Sequence, residues 1–156
     1  MKANDFQTPI KPYVVGSHSD DMLPLLRHSL YGVENLADRL DSNSQQNLIK
    51  ETKNGGAKIV SYYQQGSAYF APATAAIKML ELIANPQDED VVCSVYTQGE
   101  SGLQGIYIGL PIKLGKKGVE KIVNLTLNKQ EQEMLKISAQ GIKKQVEILK
   151  NNGLLN

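Results

Sequence analysis

A chain of 156 residues is the size of one domain and can bury roughly two-thirds of the surface its unfolded form would expose, so a single core is feasible. Lys and Arg number 17 against 16 Asp and Glu, a balance that creates no field singling out nucleic acid or an anionic membrane as partner. The lone Cys93 excludes an intrachain disulfide and lies in the apolar run VVCSVY, where a buried, inert thiol is expected.

The opening residues, MKANDFQTPIKP, are polar where a secretory signal needs an apolar stretch, and no segment approaches bilayer length. The expectation is a cytoplasmic protein with no membrane or nucleic-acid partner. The run KPYVVGS places β-branched and aromatic residues between Pro12 and Gly16, as in a short buried strand, so His18 falls just past a strand end. Over residues 44–63 the apolar positions Leu48, Ile49, Ile59, Val60 and Tyr63 recur at helical intervals, with Ser44 as N-cap. Gly55 and Gly56 interrupt that pattern, and each costs about 1 kcal/mol relative to Ala inside a helix. They predict a break or a close approach of another backbone.

A second helix is predicted over APATAAIKMLELIANP, with Pro72 in its first turn and Asn85-Pro86 as its stop. The period then changes: VVCSVYT, GIYIGLPIKLG and VEKIVNLTL alternate or run apolar between glycines, predicting a three-stranded antiparallel meander. In the last strand Val119, Lys121, Val123, Leu125 and Leu127 share one face, the better suited to burial. Asn128 and Glu131 are spaced for reciprocal capping of a helix running to about Lys150, whose stripe of Leu135, Ile142, Val146 and Leu149 is expected to pack on the sheet. With no repeat, low-complexity tract or linker, residues 1–156 read as a single α+β domain, an antiparallel sheet packed against long helices.

Chemistry points first to His18, since imidazole gives and takes a proton near neutrality, although a His at a strand end also serves as a turn or packing residue. Asp20 and Asp21 can cap a turn, face solvent or orient the ring; without a His, Cys or Glu cluster they make no metal site. His28 is expected to be structural. GSAYFAPA, residues 66–73, has two readings: backbone amides and the Ser67 hydroxyl meeting an anion at a helix start, or a helix cap with Tyr69 and Phe70 in the core. Gly99, Gly102 and Gly105 are turn formers, because their spacing matches neither a dinucleotide fingerprint nor a P-loop.

Taken together, the His18 segment, NGGAKIV, GSAYFAPA, YTQGESGLQGIYIGLPIKLGKKGVEKIV and the closing helix resemble the carboxyl-terminal half of the lactate/malate dehydrogenases, most nearly the bacterial malate dehydrogenases built on the lactate dehydrogenase plan. Five separated motifs, in the family's order across residues 13–149, carry that resemblance. It implies the family's C-terminal fold without the Rossmann domain, and His18 as the histidine that takes the hydroxyl proton of a 2-hydroxy acid as hydride leaves for NAD. Ser67 and Ala68 match the small residues lining the substrate pocket. Ala68 stands where lactate-specific relatives tend to have Thr, which favours a dicarboxylate, malate or oxaloacetate. Ser19 departs from the family's Gly after the histidine; if that position needs a positive φ, Ser strains the loop by on the order of 1–3 kcal/mol.

The family's Gly-rich nucleotide-binding half, its carboxylate-clamping arginines and the aspartate paired with the histidine have no counterpart among these residues. The resemblance therefore implies a catalytic-domain portion that is inactive alone. The alternative is a binding or assembly module that joins a dehydrogenase partner. Expected partners are an NAD-binding half or further copies in a homo-oligomer.

Overall fold

The computed structural model describes residues 8–155. The chain begins with three short antiparallel pairings. Pro12, which lacks an amide donor, separates β1 (Ile10–Lys11) from β2 (Val14–Val15), and only β2 falls within the predicted first strand. β2 pairs with β3 (Leu23–Pro24), while β1 pairs with β4 (Leu30–Tyr31), which pairs in turn with β5 (Glu34–Asn35). Buried Ser29 joins the two small sheets: its hydroxyl accepts the Tyr13 amide at 3.0 Å and donates to the Leu25 carbonyl at 2.9 Å.

After the single turn α1 (Leu36–Arg39) comes α2 (Ser42–Tyr63), which starts two residues before the predicted boundary. Its cap is Asp41, not Ser44. The Asp41 carboxylate accepts both the Ser44 amide (2.9 Å) and the Ser44 hydroxyl (2.8 Å), and those bonds hold its pKa below the ordinary aspartate range. Gly55 and Gly56 neither break this helix nor admit another backbone: a Cβ built on either meets nothing within 4 Å. α3 (Phe70–Ala84) follows, with Pro72 in its first turn and Asn85 at its end, as predicted.

The three-stranded antiparallel meander is β6 (Asp90–Gln98), β7 (Gln104–Gly115) and β8 (Gly118–Ile122), with β7 central. Gly99 and Gly102 take positive φ in the connection between β6 and β7, which includes a 3-10 turn, and Gly105 does so at the start of β7. β7 carries the core. Ile106, Ile108, Leu110, Ile112 and Leu114 alternate onto one face, where they meet Val15, Leu23, Leu25, Leu82 and Val95. Burying each such side chain stabilises the fold by about 1.5–3 kcal/mol.

β8 ends five residues earlier than predicted, and its expected burial pattern fails. Val119 is 49% exposed while Ile122, from the other set, packs against the core. A register shift at Lys113/Leu114 rotates the strand, and Leu125 and Leu127 reach the core from the extended segment beyond it.

α4 (Lys129–Asn151) starts with the predicted box: Asn128 Oδ1 accepts the Glu131 amide at 2.9 Å and Glu131 Oε2 accepts the Asn128 amide at 2.8 Å. Leu135 and Ala139 are buried and Ile142 packs on the core, but Ile148 and Leu149 near the far end are exposed. Only the first half of the stripe lies on the sheet.

Apolar side chains on α2 and α3 also face solvent, among them Tyr62, Phe70, Ile77 and Leu80. The chain exposes 11207 Å² in all, against roughly 7,800 Å² for a compact monomer of this mass. Among the described residues no helix is long and apolar enough to cross a membrane.

Opposite effects are expected from alanine at two kinds of glycine. Gly55→Ala and Gly56→Ala, in open helix, should each raise the unfolding free energy of this chain by about 1 kcal/mol in urea titration. Gly109→Ala, whose Cβ would lie 2.8 Å from the Gly16 carbonyl oxygen, should lower it by on the order of 1–3 kcal/mol.

Candidate functional site

His18 sits two residues past the Gly16 bridge, exposed on the rim of a cavity of about 500 Å³ bounded by the His18 segment, β6, β7 and α4. Its position is set by backbone contacts that require glycine. The Gly16 amide donates to the Gly109 carbonyl and the Gly109 amide to the Gly16 carbonyl, both at 2.9 Å. Gly16 has φ +93°, and a Cβ there would lie 2.7 Å from Ser138 Oγ, so glycine is required both by conformation and by space.

Beyond Gly16 the loop is held by hydroxyls. The Ser17 amide donates to Ser138 Oγ of α4 at 2.7 Å, and Ser138 donates back to Ser17 Oγ at 3.0 Å. Ser17 and Ser19 hydroxyls meet at 2.7 Å, and Ser19 Oγ also accepts the Asp21 amide at 3.2 Å. Lys53 of α2 donates to the Asp20 carbonyl at 2.7 Å. Ser19 does not take a positive φ, so the strain anticipated for a Gly replacement is absent. Its side chain is instead part of the loop's bonding.

Asp20 and Asp21 are exposed, and no described residue hydrogen-bonds the His18 imidazole. His28 lies half-buried with its ring 6.4 Å from that of Tyr13 and its Nε2 enclosed without a hydrogen-bond partner among the described residues. Cys93 lines the cavity half-buried; burial pushes its thiol pKa up and keeps it protonated near neutrality.

Ser67 and Ala68 lie in the turn between α2 and α3, Ser67 exposed and Ala68 half-buried. Neither lines the His18 cavity. The turn is shaped by Gln64 at φ 59° and Gly66 at φ 86°, and Tyr69 crowds the space a Cβ on Gly66 would take. Of the two readings of this segment, the core packing of Tyr69 and Phe70 fails, because both are more than half exposed. No side chain caps α3.

Ser138, Gly109 and Gln145, which also lines the cavity, escaped the sequence reading. Ser138 did leave a signal. It falls three residues after Leu135 and four before Ile142, on the buried stripe, where a serine is out of place unless its hydroxyl is used.

Residues 2–152 match the family described as lactate/malate dehydrogenase, alpha/beta C-terminal domain. The chain belongs to that family. It is 65% identical over 151 residues to the malate dehydrogenase of Helicobacter hepaticus, covering 97% of this chain and 48% of that protein. The malate dehydrogenase of Trichormus variabilis is 42% identical over 138 residues, covering 88% and 43% respectively.

Among solved structures, malate dehydrogenase from Cryptosporidium parvum superposes with a TM-score of 0.86 at 30% identity, over 97% of this chain and 48% of that one. Lactate dehydrogenase from the same organism, solved with lactic acid and nicotinamide adenine dinucleotide, gives 0.87 at 29% identity over 96% and 50%. The chain thus spans about half the length of these relatives, in the family's C-terminal fold.

One ion pair ties the segment after the His18 loop to α4. Arg27 clasps Glu131 through Nε–Oε1 at 3.0 Å and Nη2–Oε2 at 2.9 Å. Its guanidinium hydrogen bonds hold Glu131 below the ordinary glutamate range, against a partial burial that raises it and with help from the Asn128 amide and the nearby His28. A carboxylate depressed in the folded state contributes stability that is present above its unfolded pKa and lost as pH falls through the folded value. Unfolding free energy should therefore fall as the pH is lowered from the ordinary glutamate range downward. Glu131→Gln should flatten that part of the profile in urea titrations across pH.

Proposed function

We propose that this chain is the substrate-side domain of an NAD-dependent malate dehydrogenase that interconverts malate and oxaloacetate, with His18 exchanging the substrate hydroxyl proton. The observation that carries this reading is the 65% identity to a malate dehydrogenase across nearly the whole chain. An exposed imidazole at a cavity rim suits proton exchange with a bound 2-hydroxy acid, and the tethered backbone on either side of it limits the search for a productive geometry. Ser67 and Ala68 belong in this reading to the substrate pocket, with Ala68 favouring a dicarboxylate.

NAD, when bound, accepts the hydride that leaves the substrate carbon. The described residues do not fit its main site. Gly99 and Gly102 lie between β6 and β7 at a single 3-10 turn and Gly105 lies within β7, so none opens an α-helix after a strand as a pyrophosphate cradle does. In this reading the main cofactor site is formed by residues other than those described.

The exposed apolar faces of α2 and α3 support association with an NAD-binding half or with further copies. That same surface supports the alternative role of a non-catalytic assembly module. The place of action is proposed to be the cytoplasm.

The purified 156-residue chain should show no malate-dependent NADH formation. Joined to the amino-terminal half of the Helicobacter hepaticus relative, it should turn over malate, and His18→Gln in that fusion should lower kcat by roughly 10²–10⁴-fold. Turnover by the isolated chain, or a His18→Gln fusion as fast as its parent, would overturn the proposal. Inactivity of the fusion together with stable capture of a dehydrogenase half would favour the assembly module.

A further inference from the structure

Ser138 is the one side chain of α4 that is both polar and fully buried. A hydroxyl in such a place needs partners, and both of the bonds it makes go to Ser17, the residue preceding His18. A serine carries a single proton and two lone pairs. Ser138 donates to Ser17 Oγ, the Ser17 and Ser19 hydroxyls share a hydrogen bond, and Ser19 Oγ accepts the Asp21 amide. The result is a connected chain of hydrogen bonds from the helix interior to the residue on the other side of His18.

We propose that Ser138 is a positioning residue for His18: through Ser17 and Ser19 its hydroxyl clamps the backbone on both sides of the imidazole-bearing residue and so sets the ring at the cavity rim. The clamp rests on the reading of His18 as the proton-exchanging group for its purpose, though not for its existence. Gly16 makes it possible, because any side chain there would occupy the space of Ser138 Oγ. Ser19 extends it: a glycine at this position would leave the Asp21 amide without this acceptor and Ser17 without its second hydroxyl partner.

The test compares Ser138→Ala, Ser138→Thr and Ser19→Gly in the 156-residue chain by amide hydrogen exchange and by the χ1 couplings of His18, and in the fusion enzyme by kcat and KM for malate. Ser138→Ala should speed exchange of the Ser17 amide about tenfold, the factor equivalent to one hydrogen bond, and should average the His18 couplings. In the fusion it should lower kcat while KM stays within about twofold, and Ser138→Thr, which keeps the hydroxyl, should recover most of the loss. Ser19→Gly, in an exposed loop that leaves the core untouched, should release the Asp21 amide and loosen His18 in the same sense.

The proposal falls if Ser17 exchange and His18 couplings in Ser138→Ala match the parent, if Thr fails to restore them, or if Ser19→Gly leaves His18 unchanged. If Ser138→Ala loosens His18 while the His18→Gln fusion keeps full turnover, the clamp stands and the proton-exchange reading falls.

Discussion

Two backbones come into contact where Gly16 crosses Gly109, and no side chain fits between them. Each amide bonds the other's carbonyl at 2.9 Å, and a Cβ on Gly109 would press on the Gly16 oxygen. β2 has only two residues, too few to hold a loop by pairing with β3 alone. The crossing fastens it to the buried central strand instead, so the segment carrying His18 inherits the rigidity of the main sheet. The same missing side chain at Gly16 admits Ser138 from the opposite direction. Sheet and helix thereby converge on one residue, two positions before His18.

What was legible beforehand follows from the range of the forces involved. The meander, the end of α3 and the Asn128–Glu131 box depend on neighbours in sequence, and residue type and period report them. The cap of α2 is equally local but was misassigned, because Asp41 and Ser44 both suit the role; the Asp41 side chain takes it by binding Ser44 twice. The last strand was overextended because alternation continues through Leu127, while the register shift that ends pairing depends on β7. Periodicity reports that a side chain leaves water; it does not report which surface receives it.

The site divides in the same way. His18 stands out by its chemistry and by its place past a strand end, and the family resemblance gives it a role. Ser138 and Gly109 are far from it in sequence and ordinary in type, so no local pattern ties them to the histidine. Ser19, read as a source of strain against the family's glycine, turns out to supply a bond. Its effect depends on a torsion angle and on a neighbour's hydroxyl, neither of which a substitution seen alone reveals.

Among the described residues β8 has a strand neighbour on one side only, and it is short and interrupted by the charged pair Glu120 and Lys121, next to a hairpin tip of Lys116 and Lys117. An unpaired strand margin of this kind resists templating a neighbour's sheet, since an incoming chain would have to bring opposed charges into register within a few residues. Growth of the sheet is thus discouraged at the β8 margin, while β6 forms the opposite margin.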